Sequence, residues 1–328
     1  MLTIIVALTL LVLGLFLLIK GADVLVEGAS VIAKKLGVSE LVIGLTVVSF
    51  GTSLPELIVS LLASSRDVEG LAIGNIIGSN IANILLILGI SAIITPLTIK
   101  RVTVWREILF SMAAGGVLAL LVADEFIGAS DYHGLDKIDG IVLMTFFALF
   151  LYYSFGRTRI DQHQAEAEID KDGKAALANT FFKTILGIIM LGFGGQLIVD
   201  NASALASTFG VEDGIIGLSI VALGTSAPEL AASIAAVRSN KIDIAVGNVV
   251  GSNLFNTFWV LGISAFISPL AFSTETYVDV TIAGICGVLL FMFMAFAKPR
   301  HTLSRANGYI FVSLYGVYMV SLIARGAV

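Results

Sequence analysis

Charge is what this chain has least of. Only 13% of its 328 residues are Asp, Glu, Lys or Arg, against roughly 25% in soluble domains, which excludes an ordinary water-solvated surface. Cysteine is nearly absent. The single Cys286 excludes an intrachain disulfide and a Cys-rich metal site, and it reads as a small packing residue. Histidine is scarce too: His133, His163 and His301 all fall in expected loops. Within the spans no His/Asp/Ser set or metal-hydrolase spacing occurs, so an enzyme is not expected. The net charge of −5 gives no hint of nucleic-acid binding. Apolar residues fill the space left by these absences. They make up 57% of the chain, mean hydropathy is +1.00, and apolar stretches long enough to cross a bilayer recur throughout. The N-terminal stretch lacks a basic start and runs into Gly21-Ala22-Asp23 without a small-residue cleavage site, so it reads as a retained span and not a leader.

The chain repeats itself. Gly51-Thr52-Ser53-Leu54-Pro55-Glu56 recurs as Gly224-Thr225-Ser226-Ala227-Pro228-Glu229, a shift of 173 residues. Gly74-Asn75, Gly78-Ser79-Asn80 and Asn83 recur at the same shift as Gly247-Asn248, Gly251-Ser252-Asn253 and Asn256. Gly14 and Gly187, Gly37 and Gly210, and Pro96 and Pro269 keep that register. Chance similarity between apolar segments does not hold polar residues in step, so the chain is read as a duplication.

Ten spans are expected, at 4–32, 40–65, 71–95, 104–124, 137–156, 180–206, 213–238, 244–268, 276–297 and 305–325. Lys and Arg concentrate in the loops after odd-numbered spans: Lys34, Lys35, Lys100, Arg101, Arg106, Arg157, Arg159, Lys171, Lys174, Lys183, Arg238, Lys241, Lys298, Arg300 and Arg305. The opposite side has Arg66, Lys137 and Arg325. Basic residues mark the cytoplasmic side, which places both termini outside a cell membrane. Five spans per half is odd, so the second half enters from the opposite side, as in many secondary transporters. The expected fold is an all-α polytopic membrane protein of ten transmembrane helices. Residues 1–156 and 180–328 form two inverted five-helix repeats with broken helices at the midplane, and 157–179 is a cytoplasmic tether.

Glu56 and Glu229 lie deep inside their spans as repeat mates, with few basic partners at that depth. A carboxylate in a bilayer needs compensation, and a bound cation supplies it. Gly and Pro beside each Glu weaken the helix and free backbone carbonyls. Around the two acids stand Thr52 and Thr225, Ser53 and Ser226, Ser79 and Ser252, Asn83 and Asn256, and the carbonyls of Ser49 and Ala222. Ser79 and Asn83 share a helix face, as do Ser252 and Asn256. All are oxygen donors of the kind hard cations such as Ca²⁺ and Na⁺ prefer. The spans carrying these motifs contain neither Cys nor His, which argues against zinc, copper or iron. Asn80 and Asn253 read as structural, glycines 74, 78, 247 and 251 as packing positions, and Asp23 and Glu27 as solvated.

The doubled Gly-Thr-Ser-X-Pro-Glu and Gly-Asn-X-X-Gly-Ser-Asn motifs resemble the two alpha repeats of the cation/Ca²⁺ exchanger superfamily, and the ten-span plan resembles its prokaryotic sodium/calcium exchangers. The resemblance covers nearly the whole chain. It implies antiport of Ca²⁺ against Na⁺ by alternating access, both ions being transported substrates; no cofactor is expected, and a single chain in the lipid bilayer should suffice. By match, Glu56, Thr52, Glu229 and Thr225 hold Ca²⁺. Ser53, Ser226, Ser79, Ser252 and Asn83, with the carbonyls of Ser49 and Ala222, serve Na⁺. Asn256 departs from the family, standing where some members carry aspartate. Two carboxylates neutralise one Ca²⁺, whereas three Na⁺ would leave one positive charge and make the exchange electrogenic. Proton/calcium branches typically lack the Thr-Ser-X-Pro form, so Na⁺ is favoured over H⁺. A Ca²⁺/H⁺ antiporter, an exchanger of another divalent cation and an uncoupled cation channel are the alternatives.

Overall fold

A computed structural model describes residues 2–64, 69–123, 133–156, 173–208, 222–296, 298 and 300–326. The chain is almost wholly helical there. Helix α1 is Leu2–Leu36; α2, Glu40–Thr52, and α3, Leu54–Ser64, form a bent pair. Then follow α4 (69–94), α5 (Arg101–Val122), α6 (Lys137–Gly156) and α7 (Gly173–Thr208). The remainder holds α8 (Ala222–Thr225), α9 (Ala227–Arg238), α10 (Ile242–Ile267), α11 (Thr274–Phe296) and α12 (Arg305–Gly326). Among the described residues eight helices are long and apolar enough to cross a membrane, or nine if α2 and α3 count as one span. The expected span 213–238 is described only from Ala222 onward.

Several boundaries differ from those expected. Helix α1 runs to Leu36, past the expected end at 32, until Gly37 turns the chain at φ 64°, a conformation that costs glycine little. Helix α7 starts at Gly173, so the end of the expected tether 157–179 is helical; 157–172 lie outside the described residues. The run 40–65 breaks at Ser53, where φ is −86° and ψ 8°, and the chain bends by 47°. Pro55 brings about the break: it has no N–H for the Gly51 carbonyl, and its ring crowds the preceding turn. Ser226 takes nearly the same conformation ahead of Pro228, at φ −84° and ψ 3°.

Helices α4 and α10 are the centre, each 78% buried over its apolar window, while the other spans of that length are between 22% and 33% buried. The repeat is visible in the packing. A Cβ on Gly21 would lie 2.9 Å from the Gly187 carbonyl, and one on Gly14 would lie 2.9 Å from that of Gly194. These contacts bring α1 and α7 together backbone to backbone. Gly89 of α4 meets Gly308 of α12, and its mate Gly262 of α10 meets Gly140 of α6. Two-residue strands pair in the same crosswise manner. β1 (Leu97–Thr98) is antiparallel to β4 (Thr302–Leu303), and β2 (Gly134–Leu135) to β3 (Leu270–Ala271). Gly140 and Gly308, like the starts of β2 and β4, are 168 residues apart, so the sequence register of 173 slips beyond Pro96 while the packing partners stay equivalent. Gly247 and Gly251 press against α2 as expected of packing positions. The segment that would face Gly74 and Gly78 by the same rule lies within 213–221, outside the described residues.

Candidate functional site

The two helix breaks face the two central helices. Glu56 stands in the first turn of α3 and Glu229 in the first turn of α9, where aligned amide dipoles favour negative charge. Both are essentially inaccessible, at 0% and 1%. Ser53 Oγ donates to Glu229 Oε1 at 2.8 Å. Ser79 Oγ lies 3.4 Å from Glu56 Oε1 and receives a bond from Ser226 Oγ at 3.1 Å. The other carboxylate oxygen of each Glu has no hydrogen-bond partner.

Two crossed struts hold the breaks in place. Thr52 Oγ1 donates to Asn248 Oδ1 at 3.1 Å, and Thr225 Oγ1 to Asn75 Oδ1 at 3.1 Å. The amide nitrogens of the same asparagines turn to the other half-helix. Asn75 Nδ2 donates to the Glu56 carbonyl at 3.4 Å and to Ser60 Oγ at 3.2 Å. Asn248 Nδ2 donates to the Glu229 carbonyl at 3.2 Å and to Ser233 Oγ at 3.0 Å. Each asparagine thus ties the Thr of one repeat to the Glu-bearing turn of the other. A buried amide satisfied on both sides fixes geometry that a lone hydroxyl would leave loose.

Asn83 and Asn256 sit where α4 and α10 widen into π-helical turns, Asn83–Leu88 and Phe255–Val260, a rare form frequent at functional sites. Asn83 Nδ2 donates to Asn253 Oδ1 at 2.9 Å, leaving Asn83 Oδ1 without a partner. Asn256 is fully buried with both side-chain polar atoms unpartnered, and so is Ser252 Oγ. Native interiors rarely leave such groups unmatched. These orphaned oxygens and the two free carboxylate oxygens are the donor set expected for a hard cation.

Thr52, Ser53, Glu56, Ser79, Asn83, Thr225, Ser226, Glu229, Ser252 and Asn256 are all buried; hydrogen bonds join Ser53 to Glu229 and Ser79 to Glu56 and Ser226 across the two breaks, and Thr52 and Thr225 to the central helices. The Ser49 carbonyl is engaged, accepting from Ser53 N–H at 3.0 Å and Thr52 Oγ1 at 3.3 Å, so it is less free than the sequence suggested. Ala222 opens α8 as its first described residue. Asp23 and Glu27 are exposed. Sequence reasoning missed Asn75, Asn248, Ser60 and Ser233 as parts of the site. Their signal was available, since Asn75 and Asn248 open the second repeated motif in strict register.

Comparison with known proteins gives a consistent result. A family model described as "sodium/calcium exchanger protein" matches residues 6–156 and 180–324. Inner membrane protein YrbG of Escherichia coli (strain K12) is 39% identical over 274 residues, spanning 78% of this chain and 80% of that protein. Sodium/calcium exchanger MaX1 of Methanosarcina acetivorans is 33% identical over 321 residues, spanning 88% of this chain and 91% of its own. Among solved structures, one of the sodium-calcium exchanger NCX_Mj superimposes with a TM-score of 0.84 at 33% identity, covering 97% of this chain and 99% of that one.

Proposed function

The chain belongs to the sodium/calcium exchanger protein family, a family of membrane transporters, and on that premise we propose that it exchanges Ca²⁺ for Na⁺ by alternating access to one shared site. The observation that carries this reading is the pair of inaccessible carboxylates, Glu56 and Glu229, each with one oxygen free of protein partners among orphaned hydroxyl and amide groups. Such charges at bilayer depth call for a cation. Ca²⁺ takes about 6–8 oxygen ligands in flexible geometry, whereas Mg²⁺ keeps its own waters. Glu56, Glu229, Thr52 and Thr225 are assigned to Ca²⁺. Ser53, Ser226, Ser79, Ser252 and Asn83, with the Ser49 and Ala222 carbonyls, are assigned to Na⁺, and Asn256 is a further candidate oxygen donor.

The architecture in this reading is ten spans in two inverted halves, 1–156 and 180–328, with both termini outside and the tether in the cytoplasm. The eight long helices, the bent pair α2–α3 and the matching pair α8–α9 support it, as does the basic-residue asymmetry of the loops. A pair charge of −2 decides which loads can cross. One Ca²⁺ neutralises it, a full Na⁺ load compensates it, and a half-filled site leaves buried charge exposed to the membrane interior.

The test is ⁴⁵Ca²⁺ uptake into proteoliposomes against outward Na⁺, K⁺ or H⁺ gradients. Uptake driven by Na⁺ is expected. Uptake driven only by H⁺ would overturn the Na⁺ assignment, and uptake indifferent to any counter-ion would mark a channel.

A further inference from the structure

The two halves match in sequence, yet their hydrogen bonds do not match one for one, and the mismatches form a pattern. Asn83 Nδ2 bonds Asn253 Oδ1 at 2.9 Å. The corresponding bond at a shift of 173 would run from Asn256 Nδ2 to Asn80 Oδ1. It is not made, and both of those atoms are buried without a partner. Asn80 Nδ2 is instead held by Thr257 Oγ1 at 2.9 Å. That contact has no equivalent either, because the mate of Thr257 is Ile84.

In a carrier of two inverted halves, one half rocks or gates against the other around a fixed site, and by the symmetry of the repeats the opposite-facing state would give each half the surroundings of its mate. We infer that Asn256 and Asn80 form, in that opposite state, the bond that Asn83 and Asn253 form here, and that Thr257 is a positioning residue that favours the present state by holding Asn80. The inference rests on the inverted-repeat exchanger reading above. The donor and the acceptor of the exchanged bond are both already buried and unmatched. Asn80, Ile84, Asn253 and Thr257 also line a common cavity of about 40 Å³ between α4, α5, α10 and α11. That is space for amide side chains to change partners without repacking the helices, and it is more than one water molecule needs. On exchange, Asn80 Nδ2 leaves the Thr257 hydroxyl for the Asn253 carbonyl, the mirror of the contact that Asn253 Nδ2 makes with the Asn80 carbonyl at 3.4 Å. Ile84 gives the opposite state no hydroxyl to hold Asn253, so the two states differ by one hydrogen bond.

The inference is tested by ⁴⁵Ca²⁺/Ca²⁺ self-exchange in proteoliposomes of defined orientation, with half-saturating Ca²⁺ measured at each face. Apparent affinity at a face scales with the fraction of carriers open to it. Thr257→Val should raise half-saturation at one face and lower it at the other, changing their ratio by about two- to tenfold, the worth of one neutral hydrogen bond. Ile84→Thr should move the ratio in the same direction, the double variant should move it furthest, and Thr257→Ser should restore the native ratio. A purely structural lesion would weaken both faces alike. Native exchange with an unmoved ratio in both single variants, or a Thr257→Ser variant indistinguishable from Thr257→Val, overturns the inference alone. Absence of Ca²⁺ exchange in the native protein overturns the functional reading beneath it.

Discussion

Helices α4 and α10 differ from α1 and α7 in almost every respect except that both are pairs of repeat mates. The apolar windows of α4 and α10 are 78% buried, against 22% for α1 and 28% for α7. The central pair carries Asn75, Ser79, Asn80 and Asn83 with their mates, all inside. The outer pair presents apolar side chains such as Val12, Phe16, Phe182 and Phe193 outward, and its two members meet through glycine backbones. Polarity at bilayer depth is tolerated only where lipid cannot reach it, so we place the proposed site at the central pair and the two breaks beside it. The outer pair packs closely along its length, with Thr184 and Met190 of α7 seated against Gly28 and Gly21 of α1. We propose recognition at the centre and the moving surface on the outer pair.

The largest expected effect breaks the central half of this comparison. Glu56→Gln and Glu229→Gln should each abolish Ca²⁺ exchange in proteoliposomes, because either removes one of the two charges that a divalent load must balance. Normal Ca²⁺ flux in either variant would sink the site. Next comes the scaffold. Asn248→Leu removes the bonds that Thr52, Ser233 and the Glu229 carbonyl make to this amide, leaving Thr52 its contact with the Ser49 carbonyl. Three lost buried hydrogen bonds cost about 3 kcal/mol together, read as a lowered unfolding temperature in detergent. Asn75→Leu should do the same, and a neutral result for both would deny the struts a structural role. On the outer pair, Gly21→Val forces a side chain against the Gly187 carbonyl and the Leu191 amide, each 2.9 Å from the new Cβ. Backbone cannot rotate away, so about 2 kcal/mol of overpacking strain is expected. Turnover should slow while equilibrium Ca²⁺ binding stays native. Crosslinking α1 to the central helices should stop transport outright, and undiminished flux in the crosslinked protein would refute the assignment of motion to α1 and α7.

Much of this was legible in the sequence, for a physical reason. A carboxylate in an apolar run is expensive wherever it stands, so Glu56 and Glu229 announce themselves locally, and their duplication at one shift excludes accident. Pro55 and Pro228 mark the breaks by the same local logic. What could not be read depends on contacts far apart in the chain. Asn75 looks like any motif asparagine until Thr225, 150 positions away, is seen to donate to it. The engagement of the Ser49 carbonyl depends on how Thr52 turns at the break. The slip of register from 173 to 168 hides the equivalence of Gly140 and Gly308, which only packing against Gly262 and Gly89 reveals. The π-helical turns at Asn83 and Asn256 left no signature in the apolar periodicity.

The smallest effect separates the two mates within the centre. Ser79 accepts a bond from the Ser226 hydroxyl in this state, and Ser252 has no equivalent hydroxyl partner. Ser79→Ala should therefore lower stability in the absence of Ca²⁺ by about 1 kcal/mol, the net worth of an ordinary hydrogen bond. Ser252→Ala removes a buried hydroxyl that lacks the partner Ser79 has, so it should cost less stability than Ser79→Ala. Added Ca²⁺ or Na⁺ should reverse the standing of Ser252→Ala. If its hydroxyl is a ligand, the native protein gains more from the ion than the variant does, because a ligand stabilises in proportion to its affinity for the folded state. Unfolding curves of both variants with and without each ion give four comparisons. Equal behaviour of the two variants in the ion-free protein would mean that the hydrogen-bond asymmetry between the halves is not a property of this state. A Ser252→Ala variant that gains as much from both ions as the native chain would confine that residue to packing.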